Sequence, residues 1–324
     1  KHSTTGTDMI LPMADAYNSF ITSTFFDVEK TFKGLPVVEF HRTHSDIPIF
    51  TVSMYLFIIF IAPGMIITEG KPMKKRFALW NILLSVFSFI GASRVLPVLY
   101  KAFMEKGFKY TVCEDPQNWY LDGPSGMWTA LFIYSKIPEL MDTVFLVLKK
   151  PQAPVRFLHW FHHLTVLLYC WHAYHHTIAP GIWFATMNFC VHAVMYLYYA
   201  CMVSGIGWVV KPFGIFITFM QITQMVVGMI VTATSAYHHT TGGDAACHVN
   251  GPNYRMGLAM YGSYFMLFVK LFMQKYCKKP DEADGKGNVA ANAPCDSTDN
   301  AGFFHNKAYS TSHNNLASLN KKNE

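Results

Sequence analysis

The chain has 324 residues, of which 52% are hydrophobic and only 14% are charged. Soluble domains carry roughly 25% charged residues, so this composition argues against a soluble globular protein. The formal net charge of +6 is too small an excess to indicate a nucleic-acid partner. Seven cysteines without dense, regular spacing exclude a small disulfide scaffold and a CxxC zinc module.

Apolar runs of about 20 residues, long enough to cross a bilayer, predict seven membrane-spanning helices. They cover residues 47–67, 77–100, 127–148, 157–174, 182–203, 213–234 and 254–272. The preceding segment, residues 1–46, is polar and aromatic and lacks the order of a signal peptide. Residues 277–324 are rich in Asn, Ser, Lys and Ala, which predicts a disordered tail. We therefore expect a membrane domain over 47–276 between two polar segments.

Basic residues beside the predicted spans fall mainly in alternate loops, after spans 1, 3, 5 and 7. They are Lys71, Lys74, Lys75, Arg76, Lys149, Lys150, Arg156, Lys211, Lys275, Lys278 and Lys279. Loops rich in Lys and Arg face the cytosol, so the C-terminal tail is expected there and the N-terminal segment in the lumen.

Two short features agree with this orientation. Lys321 and Lys322, at the fourth and third positions from the end, resemble the dilysine retrieval signal of endoplasmic reticulum membrane proteins, which is read from the cytosol. Cys113 and Cys247 both fall in loops expected on the oxidising lumenal side. They are the candidate disulfide pair.

Span 3 carries ionisable residues that would be costly to bury in a bilayer without a purpose. On one continuous helix, Lys136, Glu139, Asp142 and Thr143 would lie within an arc of about 120°. This stripe predicts a functional site. The alternative is an ion pair between Lys136 and Glu139 that merely neutralises itself.

Span 4 opens with the pattern HxxHH, which places His159, His162 and His163 on one helix face. Such a face can hold a metal or supply a nucleophile and a base. The same pattern recurs at 172–176, about 20 Å further along a continuous helix and on its opposite side. We interpret this second box as interfacial histidines at the lumenal end.

Spans 5 and 6 also carry polar residues at helical spacing. These are Asn188, His192, Tyr196 and Tyr199 on span 5, and Thr218, Gln221 and Gln224 on span 6. Interhelical hydrogen bonding is the simpler account of the span 6 stripe. Four consecutive spans with polar stripes together predict a bundle that encloses a polar site.

The ordered motifs of these four spans resemble those of the very-long-chain fatty acid elongases, the 3-ketoacyl-CoA (3-oxoacyl-CoA) synthases of the endoplasmic reticulum. The motifs are KxPELxDT at 136–143, HxxHH at 159–163, MNxxVHxxMYxYY at 187–199 and TxxQxxQ at 218–224. Residues 162–166, HHLTV, are most similar to the branch that elongates saturated and monounsaturated acyl chains. The second HxxHH and the long tail depart from the family pattern.

The resemblance implies an all-α polytopic membrane protein with seven transmembrane helices. Six of them would form a barrel of two inverted three-helix units around an acyl tunnel. It implies an acyltransferase that uses malonyl-CoA and acyl-CoA as substrates, without a cofactor or a metal. It implies the 3-ketoacyl-CoA reductase, the dehydratase and the enoyl reductase of the elongation cycle as partners, with a homodimer as a further option.

The resemblance also implies roles for single residues. His162 would attack the acyl-CoA thioester and carry the acyl group as an acyl-imidazole, with His192 as its partner. Asn188, His159 and His163 are the candidate donors to the enolate formed from malonyl-CoA. Asp142 would orient an imidazole. The expected substrate-binding residues are Lys136, Glu139, Tyr196, Tyr199, Gln221 and Gln224, with Lys149, Lys150 and Arg156 at the mouth for CoA phosphates.

Two other classes of protein remain as alternatives. A membrane di-iron fatty acid desaturase or hydroxylase also uses HxxHH boxes, but it needs around eight histidines that converge on two metals about 4 Å apart. The two boxes here are expected at opposite ends of one helix. The other alternative is a seven-helix receptor or transporter, for which the loops suggest no ligand-binding domain.

Overall fold

The computed structural model describes residues 26–65, 73–149, 153–243 and 246–277. The regular structure in these ranges is helical. The α-helices are α1 Asp27–Thr31, α2 Leu35–Thr43, α3 Asp46–Phe60, α4 Ala62–Met65, α5 Lys74–Cys113, α6 Gly123–Ser135, α7 Met141–Lys149, α8 Phe157–His175, α9 Gly181–Val203, α10 Gly207–Val210, α11 Gly214–Gly242 and α12 Gly251–Phe272. Lys71, Lys150, Lys278, Lys279, Lys321 and Lys322 lie outside the described residues, as does nearly all of the predicted tail.

Within the described ranges, four helical segments are long and apolar enough to cross a membrane. They are Lys74–Cys113, Gly181–Val203, Gly207–Gly242 and Gly251–Cys277. The helices α2 and α3, bent by 63° at their junction, make a fifth candidate if they form one span. The chain is therefore an all-helical, multi-pass membrane protein. A helix also occurs in the third and fourth predicted runs, although neither run meets the same criterion of length and apolarity.

The third predicted run is not one continuous helix. The α6 helix ends at Ser135, a tight turn of 3₁₀-helix covers Pro138–Leu140, and α7 starts at Met141. Proline has no N–H to donate and its ring clashes with the preceding turn, so Pro138 accounts for the break. The polar stripe predicted on one continuous helix is therefore divided by this break, and the predicted arc of about 120° is wrong. All four residues of the stripe are nonetheless buried.

The α5 and α9 helices pack against each other along much of their length. A Cβ atom added to Gly91 of α5 would lie only 2.5 Å from the ring of Phe189 on α9, so the glycine is what permits this approach. Ser85 Oγ also donates a hydrogen bond to the carbonyl oxygen of Ala193, at 2.7 Å. Near its end α5 changes direction at Gly107, whose φ of 83° favours glycine.

The short helix α1 is anchored by a buried carboxylate. Glu29 is 0% exposed and accepts hydrogen bonds from Trp128 Nε1, at 2.7 Å, and from Arg94 Nε, at 3.3 Å. Because an unpaired charge would be costly to bury, these bonds tie α1 firmly to α5 and α6. The segment before the first span therefore includes packed helices, which its polar composition did not predict.

Two links join distant segments at the end of the bundle where α5 ends and α12 begins. Cys113 and Cys247 form a disulfide bond. Asp122 Oδ2 accepts a bond from Lys33 Nζ at 2.7 Å. The Lys33 ammonium, followed by the Gly34 N–H, holds the pKa of the Asp122 carboxyl below its usual value. The stabilisation from this link is therefore present above the unfolded-state pKa and is lost as the pH falls through the folded-state pKa.

Candidate active site

A polar cavity lies between α7, α8, α9, α11 and α12. It is lined by Asp142, Leu158, His159, His162, His163, Asn188, Val191, His192, Met195, Tyr196, Tyr199, Gln221, Gln224, Met225 and Phe268. Ten of these side chains were predicted from the sequence as site residues. The motifs of four separate helices thus converge on one cavity.

A second, largely apolar cavity continues from the first toward the disulfide-linked end of the bundle. Its aliphatic and aromatic walls include Leu121, Phe132, Ile133, Val166 and Ile178. Four residues line both cavities: His162, Asn188, Gln224 and Met225. His162 therefore lies where a polar chamber meets an apolar one.

His162 of the first box has a ring nitrogen that is not engaged in a hydrogen bond with the described residues. Its Nδ1 is buried and has no hydrogen-bond partner among the described residues. Tyr264 of α12 packs against the imidazole, with ring centroids 4.8 Å apart, and donates to the His162 backbone oxygen at 3.2 Å. The Tyr264 hydroxyl also meets Thr165 Oγ1. Tyr264 was not predicted as a site residue, because its only signal in the sequence is an aromatic hydroxyl in the last span.

His159 is held by a chain of hydroxyl groups. Its Nε2 lies 2.9 Å from Thr143 Oγ1, which in turn lies 2.9 Å from the hydroxyl of Tyr55 on α3. The ring of His163 stacks edge-on against it, with centroids 4.5 Å apart. His159 is thus engaged in the protein's own network, in contrast to His162. Tyr55 was also missed, because it lies in a uniformly apolar run.

A buried ion pair fixes Asn188. Lys136 is 2% exposed, and its Nζ donates to both Glu139 oxygens, at 2.8 and 3.0 Å, and to Asn188 Oδ1, at 3.1 Å. Ser135 Oγ donates a third hydrogen bond to Glu139, at 2.8 Å. The ion pair between Lys136 and Glu139, considered above as an alternative, is therefore present. Its lysine also holds Asn188, which lines the polar cavity. Neither Lys136 nor Glu139 lines the two cavities, so direct substrate binding by them is not supported.

The lysine also determines the orientation of the neighbouring groups. An ammonium can only donate, so the Asn188 atom facing Lys136 is the amide oxygen. The amide nitrogen of Asn188 then faces His192 Nε2, 3.0 Å away. Since the amide nitrogen is a donor, His192 Nε2 must accept, and the proton of a neutral His192 resides on Nδ1. Lys136 thus fixes the tautomer of His192 through Asn188.

Among the described residues, the hydrogen-bond partners of Asp142 are not imidazoles, contrary to the sequence-based expectation. Its Oδ1 accepts from Trp80 Nε1 at 2.8 Å, and its Oδ2 accepts from the Tyr196 hydroxyl at 2.9 Å. Both oxygens are committed to α5 and α9, and the α7 residue that reaches the histidine box is the adjacent Thr143. Asp142 and Tyr196 therefore form part of the cavity wall.

The remaining predicted residues are placed as follows. Gln221 Nε2 donates to the sulfur of Met195 at 3.2 Å, so it bridges α11 to α9. Lys149 ends α7, and Arg156 immediately precedes α8. Neither basic residue lines the two cavities, and Lys150 lies outside the described residues. No group of three or more His, Cys, Asp or Glu side chains within the described ranges is arranged to hold a metal ion.

Residues 40–284 match the family described as ELO: GNS1/SUR4 family. The chain belongs to the ELO family. It is 41% identical over 267 residues to "Very long chain fatty acid elongase 4" of Trypanosoma cruzi, covering 82% of this chain and 92% of the relative. It is 38% identical over 300 residues to "Fatty acid elongase 3" of Trypanosoma brucei brucei, covering 85% and 96%. It is 37% identical over 268 residues to "Very long chain fatty acid elongase 6" of Gallus gallus, covering 82% and 97%.

The second histidine box of this ELO chain lies apart from the site. His172 Nδ1 lies 3.2 Å from the amide nitrogen of Asn253, at the start of α12. The rings of His172 and His175 each approach that of His176, with centroids 4.5 Å apart. None of the three lines the polar or the apolar cavity. The duplicated motif therefore has a different environment from the first box.

Proposed function

We propose that this ELO-family fatty acid elongase condenses malonyl-CoA with a fatty acyl-CoA to give a 3-ketoacyl-CoA, and that His162 carries the acyl group. The observation that supports this most directly is the position of His162, which lines both cavities. An acyl thioester has a polar head and an apolar chain. His162 can therefore meet the thioester carbon while the alkyl chain lies in the apolar cavity, where its burial is favourable.

In the first half-reaction, a neutral nitrogen of the His162 imidazole attacks the thioester carbonyl carbon. The C–S bond breaks, and the CoA thiolate leaves with the proton that the imidazole gives up. The product is an acyl-imidazole, which remains a good acyl donor. The unpartnered Nδ1 of His162 favours this role, since no internal hydrogen bond has to be broken first.

In the second half-reaction, malonyl-CoA loses CO₂ and its C2 carbon becomes an enolate carbon. That carbon attacks the acyl carbon and the C–N bond to His162 breaks. The departing imidazole nitrogen takes up one proton from solvent, which restores the neutral His162. The enolate oxygen carries negative charge and needs donors that are already in place. Asn188, His163 and His192 line the same cavity as His162, and the proton of a neutral His192 lies on Nδ1 in the tautomer fixed by Lys136.

Incubation of the purified protein with radiolabelled malonyl-CoA and acyl-CoA primers tests this function. Label should enter a 3-ketoacyl-CoA two carbons longer than the primer, and only when both substrates are present. Iron analysis of the same preparation tests the alternative of a di-iron desaturase or hydroxylase, which would contain iron. Absence of malonyl-CoA-dependent product in a folded preparation would contradict the proposed function.

We further propose that all seven apolar runs cross the membrane, with six helices in a barrel of two inverted three-helix units. A helix in each run supports this arrangement. The N-terminal segment over 1–46 would be lumenal and the tail over 277–324 cytosolic. Lys149, Lys150 and Arg156 would then frame the cytosolic mouth and meet the CoA phosphates. The basic residues of alternate loops support this orientation.

The endoplasmic reticulum is the proposed location, supported by Lys321 and Lys322 near the end of the chain. Replacing both with Ser is expected to let part of the protein leave that compartment, because a dilysine signal needs both side chains. Fluorescence imaging of tagged wild-type and variant proteins measures the distribution. An unchanged distribution would show that another determinant retains the protein.

The product chemistry suggests the partners. A 3-ketoacyl-CoA must be reduced, dehydrated and reduced again before another round, so we propose association with the 3-ketoacyl-CoA reductase, the dehydratase and the enoyl reductase. We also propose that the protein forms a homodimer. Residues 162–166 support saturated and monounsaturated primers as the preferred branch.

The second histidine box provides a test of which HxxHH is used. Replacing His172, His175 and His176 together with Gln is expected to leave condensation within a few-fold of wild type, because none of them lines either cavity. The rate of malonyl-CoA-dependent product formation is the measurement. Complete loss of activity in a folded triple variant would show that the wrong box has been assigned.

A further inference from the structure

At the end remote from His162, the loop that precedes α6 and the turn that precedes α9 form the wall of the apolar cavity. Tyr120 of the loop is buried, and its hydroxyl donates to the carbonyl oxygen of Ile178 in the turn, at 3.1 Å. A Cβ atom on Gly181 would lie 2.9 Å from the same hydroxyl, so the Tyr120 side chain is in close contact with the start of α9. Tyr120 thus bridges the two segments that form the end wall.

The N-terminal segment supports this wall from outside. Asp122 Oδ1 accepts from the N–H of Gly34 at 2.9 Å, and the N–H of Gly123 donates to the carbonyl oxygen of Phe32 at 3.0 Å. A Cβ atom on Gly34 would lie 2.4 Å from the carbonyl oxygen of Leu121, so the two backbones are in direct contact. The loop that carries Tyr120 therefore has little room to retreat when the cavity is filled.

The α8 helix gives the length scale of the cavity. His162, Val166, Cys170, Ala173 and Tyr174 all line it from this one helix. At about 1.5 Å per residue, Tyr174 lies about 18 Å from the level of His162. Carbon–carbon bonds of about 1.5 Å give an extended alkyl chain a rise of about 1.3 Å per carbon. The cavity is therefore long enough for about 14 carbons as far as Tyr174, and for a few more as far as the end wall.

We propose that Tyr120 is the residue that limits the length of the acyl primer, and that the cavity takes primers of about 14 to 18 carbons. The inference rests on the proposed function, because it requires the acyl chain to lie in the apolar cavity. Tyr120 acts by position and size: its ring stops the chain, and its hydroxyl bond to the α9 turn holds the ring in place.

Two variants should change the primer profile in opposite directions. Tyr120→Ala removes the ring, so the rate with arachidoyl-CoA relative to palmitoyl-CoA should rise at least about fivefold. Ala173→Leu adds bulk about 16 Å from the level of His162, so the preferred primer should become shorter, toward lauroyl-CoA. Gln117→Ala is the matched control, because Gln117 is an exposed residue of the same loop. Its profile should equal that of wild type.

The primer ladder with labelled malonyl-CoA separates failure of this inference from failure of the proposed function. If wild type elongates no primer, the proposed function itself is wrong. If wild type elongates primers but Tyr120→Ala keeps the wild-type profile, Tyr120 does not set the limit. Should Tyr120→Ala not fold, Tyr120→Leu retains apolar packing and should still shift the profile toward longer primers. An unchanged profile in Tyr120→Leu would overturn the proposal.

Discussion

His162→Ala is expected to lower condensation by at least about 1,000-fold, because loss of a nucleophile removes the covalent route itself. The variant should fold normally. The His162 Nδ1 has no hydrogen-bond partner among the described residues. Removing that nitrogen therefore breaks no hydrogen bond there. Its ring contact with Tyr264 is the principal packing loss. Product formation from labelled malonyl-CoA gives the rate.

The same variant tests the chemical step directly. Exposure of wild type to acyl-CoA alone should add the mass of one acyl group, and His162→Ala should show no such adduct. His175→Ala is a suitable control, since it removes an imidazole from the same helix but outside both cavities. It should retain both the adduct and the activity. An adduct that persists in His162→Ala would locate the acyl group on another residue.

Lys136→Met is expected to cause the second largest effect, a loss of about 3–5 kcal/mol in the free energy of unfolding. The substitution leaves Glu139 as a buried, uncompensated carboxylate and Asn188 Oδ1 without its donor. Thermal unfolding in detergent should therefore occur at a clearly lower temperature. Condensation should fall as well, because Asn188 and His192 lose their fixed orientation.

A double variant separates the two roles of this lysine. Lys136→Met combined with Glu139→Gln removes both charges, and Gln can still accept the bond from Ser135 Oγ. Much of the lost stability should return, since no unpaired charge remains. Activity should stay low, because nothing replaces the ammonium at Asn188. Full recovery of activity would show that the Lys136–Glu139 ion pair serves only to neutralise its own charges. That is the alternative considered from the sequence.

The sequence predicted the members of the site better than their contacts. Helical periodicity brings His159, His162 and His163 to one face, and the same argument applies to Asn188 and His192 on α9. Burial of polar side chains in a membrane is costly, so these stripes had to face one another. Convergence on one cavity thus follows from spacing and composition alone.

The contacts of Asp142 and Glu29 show what the sequence could not provide. Asp142 accepts from Trp80, 62 residues away on α5, as well as from Tyr196. Glu29 accepts from Arg94 and Trp128. Such pairs depend on how helices distant in the sequence pack against each other. The periodicity of residues within one helix carries no information about that packing. The break at Pro138 was also missed, because the apolar run continues through it.

The disulfide closes the part of the enzyme that carries the site motifs into a covalent ring. Cys113 and Cys247 are separated by 134 residues, so the ring includes α6 to α11 and all four motifs. Closing a ring of that size lowers the conformational entropy of the unfolded chain. By the chain-entropy relation, this stabilises the folded protein by about 5 kcal/mol. A single backbone cut inside the ring would leave two fragments that are still bonded to each other. The site helices could therefore be nicked in a connecting loop without the pieces separating until the bond is reduced.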